Sequence, residues 1–139
     1  MARILAIDYG TRRVGVAVSD PLQIIAGGLD TVPTEGLFGF LKKYIAEEEV
    51  ETLVVGMPMH LDGNPAQIAD KVEAFIKKFK ELFPGILVET QDERFTSVDA
   101  KKIILQSGAK KKKRQDKSLV DKVAAILILQ EYMESKRNF

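Results

Sequence analysis

Cysteine and tryptophan are missing from this chain of 139 residues, and histidine occurs once, at His60. The lack of cysteine excludes disulfides and thiolate zinc sites, and it is compatible with a cytoplasmic location. No apolar run approaches the roughly 20 residues that cross a bilayer, so no membrane association is expected. The first residues lack the basic region, apolar core and cleavage site of a secretory leader, so we expect the chain to stay in the cytoplasm, where it is made. A charge excess is missing too: the net charge is +1, and this total by itself does not point to nucleic acid. Disorder is excluded by 45% hydrophobic against 29% charged residues. A chain of this length is expected to form one domain over 1–139, with a real core and no room for two large lobes.

Charge is present in blocks. Lys110, Lys111, Lys112, Lys113 and Arg114 are consecutive cations, whereas Glu47, Glu48, Glu49 and Glu51 form an acidic patch. The near-neutral total therefore hides a dipolar surface. The basic run reads either as a solvated loop or as a contact to a phosphate backbone, and the second reading implies binding that falls steeply with salt.

The hydrophobic pattern predicts strands over 3–8, 13–19 and 24–32. In the second, Val14, Val16 and Val18 alternate with Gly15, Ala17 and Ser19, the period of two of a sheet. Gly27 and Gly28 predict a bulge or an early break in the third. A helix over 34–48 follows, with Thr34 as its cap and Leu37, Phe40, Leu41, Tyr44 and Ile45 on its core stripe. A short strand over 52–56 leads into a loop over 57–64, and Pro65 suits the first turn of the next helix. That helix carries Ile68, Val72, Phe75, Ile76 and Phe79 at helical spacing and is ended by Pro84 and Gly85. A strand over 86–91, a helix over 97–106, the basic loop and a last helix over 118–135 complete the order. The last helix is apolar nearly all round from 123 to 129, as a buried helix should be. The expected fold class is α/β: one mixed five-stranded sheet, opened by a three-stranded antiparallel meander and flanked by helices.

Three acids stand at the edges of apolar segments. Asp8 closes the run Arg3-Ile4-Leu5-Ala6-Ile7, which reads as a strand buried on both faces. A carboxylate there must be paired, hydrogen-bonded or bound to a cation. The competing reading is a cap on the turn Asp8-Tyr9-Gly10-Thr11. Glu93 lies just past the last strand, and in α/β sheets sites gather at the carboxyl ends of strands, so Asp8 and Glu93 are expected to meet. Asp121 is placed in the first turn of the last helix, sharing a face with Ala124, Ala125, Ile128 and Tyr132, and is expected to point toward the sheet. Its alternative reading is an acid favoured there by the helix dipole.

Four blocks around these acids resemble a known family: Ile7-Asp8-Tyr9-Gly10-Thr11-Arg12-Arg13-Val14-Gly15-Val16-Ala17, Val55-Gly56-Met57-Pro58 through Asp62-Gly63, Asp92-Glu93-Arg94-Phe95-Thr96-Ser97, and Asp121-Lys122-Val123-Ala124-Ala125. Together they are similar to the YqgF/RuvX family across nearly the whole chain. The resemblance implies an RNase H-like fold, related to that of RuvC-type Holliday-junction resolvases. It implies a nuclease maturing the 5′ end of pre-16S rRNA, with Asp8, Glu93 and Asp121 as catalytic metal ligands for Mg²⁺ or Mn²⁺. Junction resolution on branched DNA is the competing assignment.

Hard carboxylate oxygens suit such ions, which can hold the attacking and departing oxygens of a phosphodiester in line. Asp92, beside Glu93, points the other way on an extended chain. RuvC resolvases use four acids, whereas here Ala124 and Ala125 stand one turn after Asp121, which sets a full two-metal site apart from this pattern. Arg12, Arg13, Arg94 and the basic run 110–114 are candidate nucleic-acid contacts, Arg94 having an ion pair with Asp92 as its alternative role. His60 reads as a polar loop residue. A symmetric cutter of two strands would favour a homodimer, while an RNA-trimming enzyme can act as a monomer.

Two rival classes remain in view. The segment Asp8-Tyr9-Gly10-Thr11 also resembles the first phosphate loop of actin-like and sugar-kinase ATPases, but those need two lobes. The other is a non-catalytic RNA-binding assembly factor whose acids serve the fold.

Overall fold

The computed structural model describes residues 2–57, 65–92 and 117–137. Five strands form one sheet: β1 (Arg3–Tyr9), β2 (Arg13–Ser19), β3 (Ala26–Pro33), β4 (Val50–Met57) and β5 (Leu87–Asp92). The helices are α1 (Leu37–Glu47), preceded by a 3₁₀ turn (Thr34–Gly36), α2 (Pro65–Leu82) and α3 (Lys117–Arg137). The strand order is β3-β2-β1-β4-β5, antiparallel from β3 to β1 and parallel from β1 to β5. This is the mixed five-stranded sheet expected, with its meander first.

Alternation within the strands sorts two cores. Leu5, Ile7, Val14, Val16, Leu53 and Val55 face α1 and α2, packing on Leu41, Val72, Phe75 and Phe79. Ile4, Ala6, Ala17 and Val54 face the other way onto Ala125, Ile128 and Leu129 of α3. Full burial of such branched side chains contributes roughly 1.5–3 kcal/mol each, so the period of two in β1, β2 and β4 is the main determinant of the layering.

Boundaries shift where polar groups compete. Thr34 does not cap α1: the helix has Gly36 at its N-cap and no side-chain cap bond. The Thr34 hydroxyl instead donates to the Gly10 carbonyl at 2.8 Å. β3 begins at Ala26 rather than at 24 because the Asp20 carboxylate accepts the Ile24 and Ile25 amides, both at 2.7 Å, diverting them from a ladder. The glycine pair does mark a bulge, since Val16 faces Asp30 and Ala17 faces Gly28, leaving Leu29 as the extra residue. β4 is longer than expected because Val50 finds Arg3 at one end and Met57 finds Asp92 at the other. Ile86 is outside β5, its amide closing a turn onto the Phe83 carbonyl at 3.1 Å.

Two corrections concern α3. It starts at Lys117, so Asp121 is its fifth residue and its first turn holds no acid. Its burial is also one-sided: Ala124, Ala125, Ile128 and Leu129 are buried, whereas Val123, Ile126 and Leu127 keep partial exposure. The apolar circumference expected of a wholly buried helix is thus covered on the sheet side more than elsewhere. The predicted loop over 57–64 loses Met57 to β4, where it pairs with Asp92; its other residues, and the predicted helix over 97–106, lie outside the described residues.

Candidate metal and nucleic-acid site

Asp8 is the penultimate residue of β1 and is 9% exposed. Ile4 and Ala6 face α3, and Asp8, two residues on, takes the same face. Its lateral neighbours are Gly15 of β2 and Gly56 of β4, and Gly56 in turn pairs with Gln91 of β5. Glycines thus occupy the paired position on both adjacent strands.

Gly15 serves a second purpose. A Cβ at this position would lie 2.0 Å from the main-chain oxygen of Asp121. Only a glycine admits α3 so close to β2, and that approach brings Asp121 over the strand position laterally paired with Asp8. Gly28 gives way similarly to the Lys122 side chain, where a Cβ would meet Cδ at 2.7 Å. The small residues on α3 are matched by small residues on the sheet.

The Arg13 Nε donates to Asp121 Oδ2 at 2.8 Å, an ion pair across 108 positions of sequence. Arg13 shares the α3 face of β2 with Gly15 and Ala17. With the two side chains 38% and 23% exposed, the pair contributes about 0–1 kcal/mol to stability. Its stronger effect is to hold the carboxylate in one orientation. The turn before Arg13 is held in turn by Thr34, whose hydroxyl donates to Gly10 O at 2.8 Å and whose amide donates to Arg12 O at 3.0 Å. Arg12 is exposed at that turn.

The structure thus pairs Arg13 with Asp121 and lays the Asp121 main chain over Gly15, the lateral partner of Asp8, with Arg12 exposed at the neighbouring turn. β5 ends at Asp92, at the same carboxyl-terminal edge as Asp8, because β1, β4 and β5 run parallel. Glu93, Arg94, the cations Lys110, Lys111, Lys112, Lys113 and Arg114, and His60 lie outside the described residues. Among the described residues no group of three His, Cys, Asp or Glu side chains stands close enough to hold a metal. The donor chemistry nevertheless fits a hard cation, since Asp8 and Asp121 offer carboxylate oxygens and the Arg13 pair engages Oδ2 of Asp121, a bond to which Oδ1 is not party. Sequence reasoning missed three supporting residues, Gly15, Gly56 and Thr34. The two glycines carried a signal, each standing in an apolar strand where a glycine marks close approach; Thr34 carried none, since its pattern matched a helix cap.

The RuvX family model, described as "Holliday junction resolvase", matches residues 2–135. The chain belongs to the RuvX family. Its relatives include a protein of Bacteroides thetaiotaomicron, 50% identical over 137 residues and covering 99% of both chains, named "Putative pre-16S rRNA nuclease". One from Flavobacterium johnsoniae bears the same name at 47% identity, with 99% of both chains covered. Among solved structures, T. thermophilus RuvC in complex with a Holliday junction substrate superposes with a TM-score of 0.63 over 99% of this chain and 96% of that one, at 15% identity. The likeness to RuvC shows a shared fold. For this RuvX protein, the resemblance read from four sequence blocks holds, as does the mixed five-stranded sheet expected from the hydrophobic pattern.

Proposed function

We propose that this RuvX protein is a divalent-metal-dependent nuclease that hydrolyses a phosphodiester bond in maturing the 5′ end of pre-16S rRNA, with Asp8, Glu93 and Asp121 as the metal ligands. The reading is supported by family membership along residues 2–135 and by relatives named as rRNA nucleases. The observation that carries it is the carboxylate of Asp8 set between two glycines, with Asp121 delivered onto the same edge by a helix that only Gly15 admits.

In this reading Asp8 and Asp121 supply fixed oxygens, and Glu93, following β5, supplies a third. Bound Mg²⁺ or Mn²⁺ would offset phosphate charge and acidify the attacking water. Arg13 orients Asp121 and keeps a positive charge beside the position of the scissile phosphate. The absence of a side chain at Gly56, the β4 neighbour of Asp8, leaves that flank for a nucleic-acid backbone, while the space over Gly15 is taken by α3. Arg12, Arg94 and the run 110–114 provide further cations for the polyanion. The protein acts in the cytoplasm, as a monomer or a homodimer, on nucleic acid and not at a membrane. Among the described residues, no helix is long and apolar enough to cross one.

The family's description favours a second reading, junction resolution on branched DNA. Cleavage of labelled pre-16S rRNA and of a four-way DNA junction, with Mg²⁺ or Mn²⁺, separates them. RNA cleavage lost in Asp8→Asn supports rRNA maturation, and selective junction cleavage moves the assignment to a resolvase. No cleavage of either leaves a non-catalytic RNA-binding assembly factor.

A further inference from the structure

The face of the sheet opposite Asp8 carries a second feature at the same edge. Tyr9 follows Asp8 in β1 and points away from α3, into a cavity of about 270 Å³ lined by Tyr9, Phe38, Lys71, Ala74, Phe75 and Lys78. Three rings form its apolar part: Tyr9 and Phe75 have centroids 5.5 Å apart, and Phe38 and Phe75 5.0 Å apart. Phe75 is buried, while Tyr9 and Phe38 are half-buried.

Along α2, Lys71, Ala74, Phe75 and Lys78 recur at three- and four-residue spacing and so share a face. Ala74 stands between the two lysines, and its short side chain adds little bulk to the cavity wall. Both lysines are exposed, and the acids of α2, Asp70, Glu73 and Glu81, do not line the cavity. A core edge in need only of covering would not require two cations around three rings. The Lys78 ammonium rests over the Phe38 ring, 4.7 Å from its centroid. At an exposed site such a contact is worth little, so a flat aromatic ligand can take its place and free the ammonium for an anion.

We propose that this cavity binds one unpaired base of single-stranded RNA, stacked on Phe38 with Tyr9 and Phe75 behind it, while Lys71 and Lys78 contact the flanking phosphates. Aromatic rings beside cations are the usual construction for single-strand binding without sequence preference. The volume lies below the roughly 300–1,000 Å³ of clefts for whole small molecules, which suits a single ring system. Because Asp8 and Tyr9 are consecutive residues on opposite faces, an RNA strand crossing the sheet edge would present one phosphate to the acids and a nearby base to the cavity. The proposal rests on the nuclease reading for its substrate class, and it adds a contact that selects unpaired RNA.

The test uses the full chain with divalent cations chelated, so that binding is read without cleavage. The probe is a short single-stranded RNA carrying 2-aminopurine, whose fluorescence is quenched when the base stacks. Quenching and tight binding by the parent protein, with affinity about tenfold weaker and quenching lost in Phe38→Leu, supports the proposal. The double variant Lys71→Glu, Lys78→Glu changes only exposed side chains, and it should weaken binding and flatten its salt dependence. Parent-like binding and quenching in both variants, each folded by circular dichroism, overturns the proposal, whatever the cleavage assay shows. Equal affinity for the same RNA in a duplex, with no quenching of the single strand, overturns it as well. Absence of cleavage with normal quenching removes the nuclease reading and leaves the base site standing.

Discussion

In the proposed site Gly15, Asp8 and Arg13 have separate parts, and each makes a separate prediction. At Gly15 a methyl group would sit 2.0 Å from the Asp121 main-chain oxygen, and neither strand nor helix backbone can yield cheaply. Gly15→Ala is expected to destabilise the fold by about 1–3 kcal/mol in urea titration and to lower cleavage by shifting Asp121. Asp8→Asn keeps the shape and removes a charge from a place where acids gather. Its melting temperature without metal should equal or exceed that of the parent, while the gain on adding Mg²⁺ disappears. A large loss of stability in the metal-free variant would instead make Asp8 a structural residue. Arg13→Gln removes the charge paired with Asp121 in a partly exposed pair, so stability should change by less than about 1 kcal/mol. The Mg²⁺ concentration for half-maximal cleavage should move, which a purely structural arginine would not cause.

Elements were placed by their apolar periods and trimmed by local polar competition. The Asp20 loop is the clearest case. The backbone amides of Ile25 and Ile24 hold the Asp20 carboxyl below its ordinary value of 3.8. A carboxyl depressed by folding adds stability above its unfolded value and loses it as pH falls through the folded one. Acid unfolding of the parent should therefore steepen below pH 3.8, and Asp20→Ala should be less stable near neutrality and less sensitive to acid there. The start of α3 matters to function as well. With Asp121 as its fifth residue, a stabilising interaction with the helix dipole, confined to the first turn, is no longer an adequate account of this acid. Contact with Gly15 and Arg13 accounts for its position directly.

The molecule as a whole presents two faces of one sheet edge, with carboxylates and Arg13 on the α3 side and rings with lysines on the α2 side. On the proposed reading, cations on both faces and in the run 110–114 neutralise several phosphates of a bound RNA. The logarithm of affinity should fall linearly with the logarithm of salt concentration. Neutralising Lys71 and Lys78 should reduce that slope by up to about two phosphates' worth, measured by anisotropy with the metal chelated. A slope near zero for the parent protein would count against a nucleic-acid substrate.

Much of this was legible in the chain alone. Strand alternation in 13–19, the helical spacing of Val72, Phe75 and Phe79, and the combination of four motif blocks determined the sheet, its layers and the family, because burial imposes a period on any sequence that folds this way. The burial of Asp8 at the end of β1 was legible too, since an acid ending an apolar strand demands a partner. What the sequence could not disclose were relations across distance. Thr34 reads as a helix cap and instead ties down the turn at Gly10 and Arg12; Arg13 meets an acid 108 positions away; Gly15 is small on account of a helix that arrives last in the chain. Each depends on which backbone lies opposite in space, and only the tertiary structure decided that.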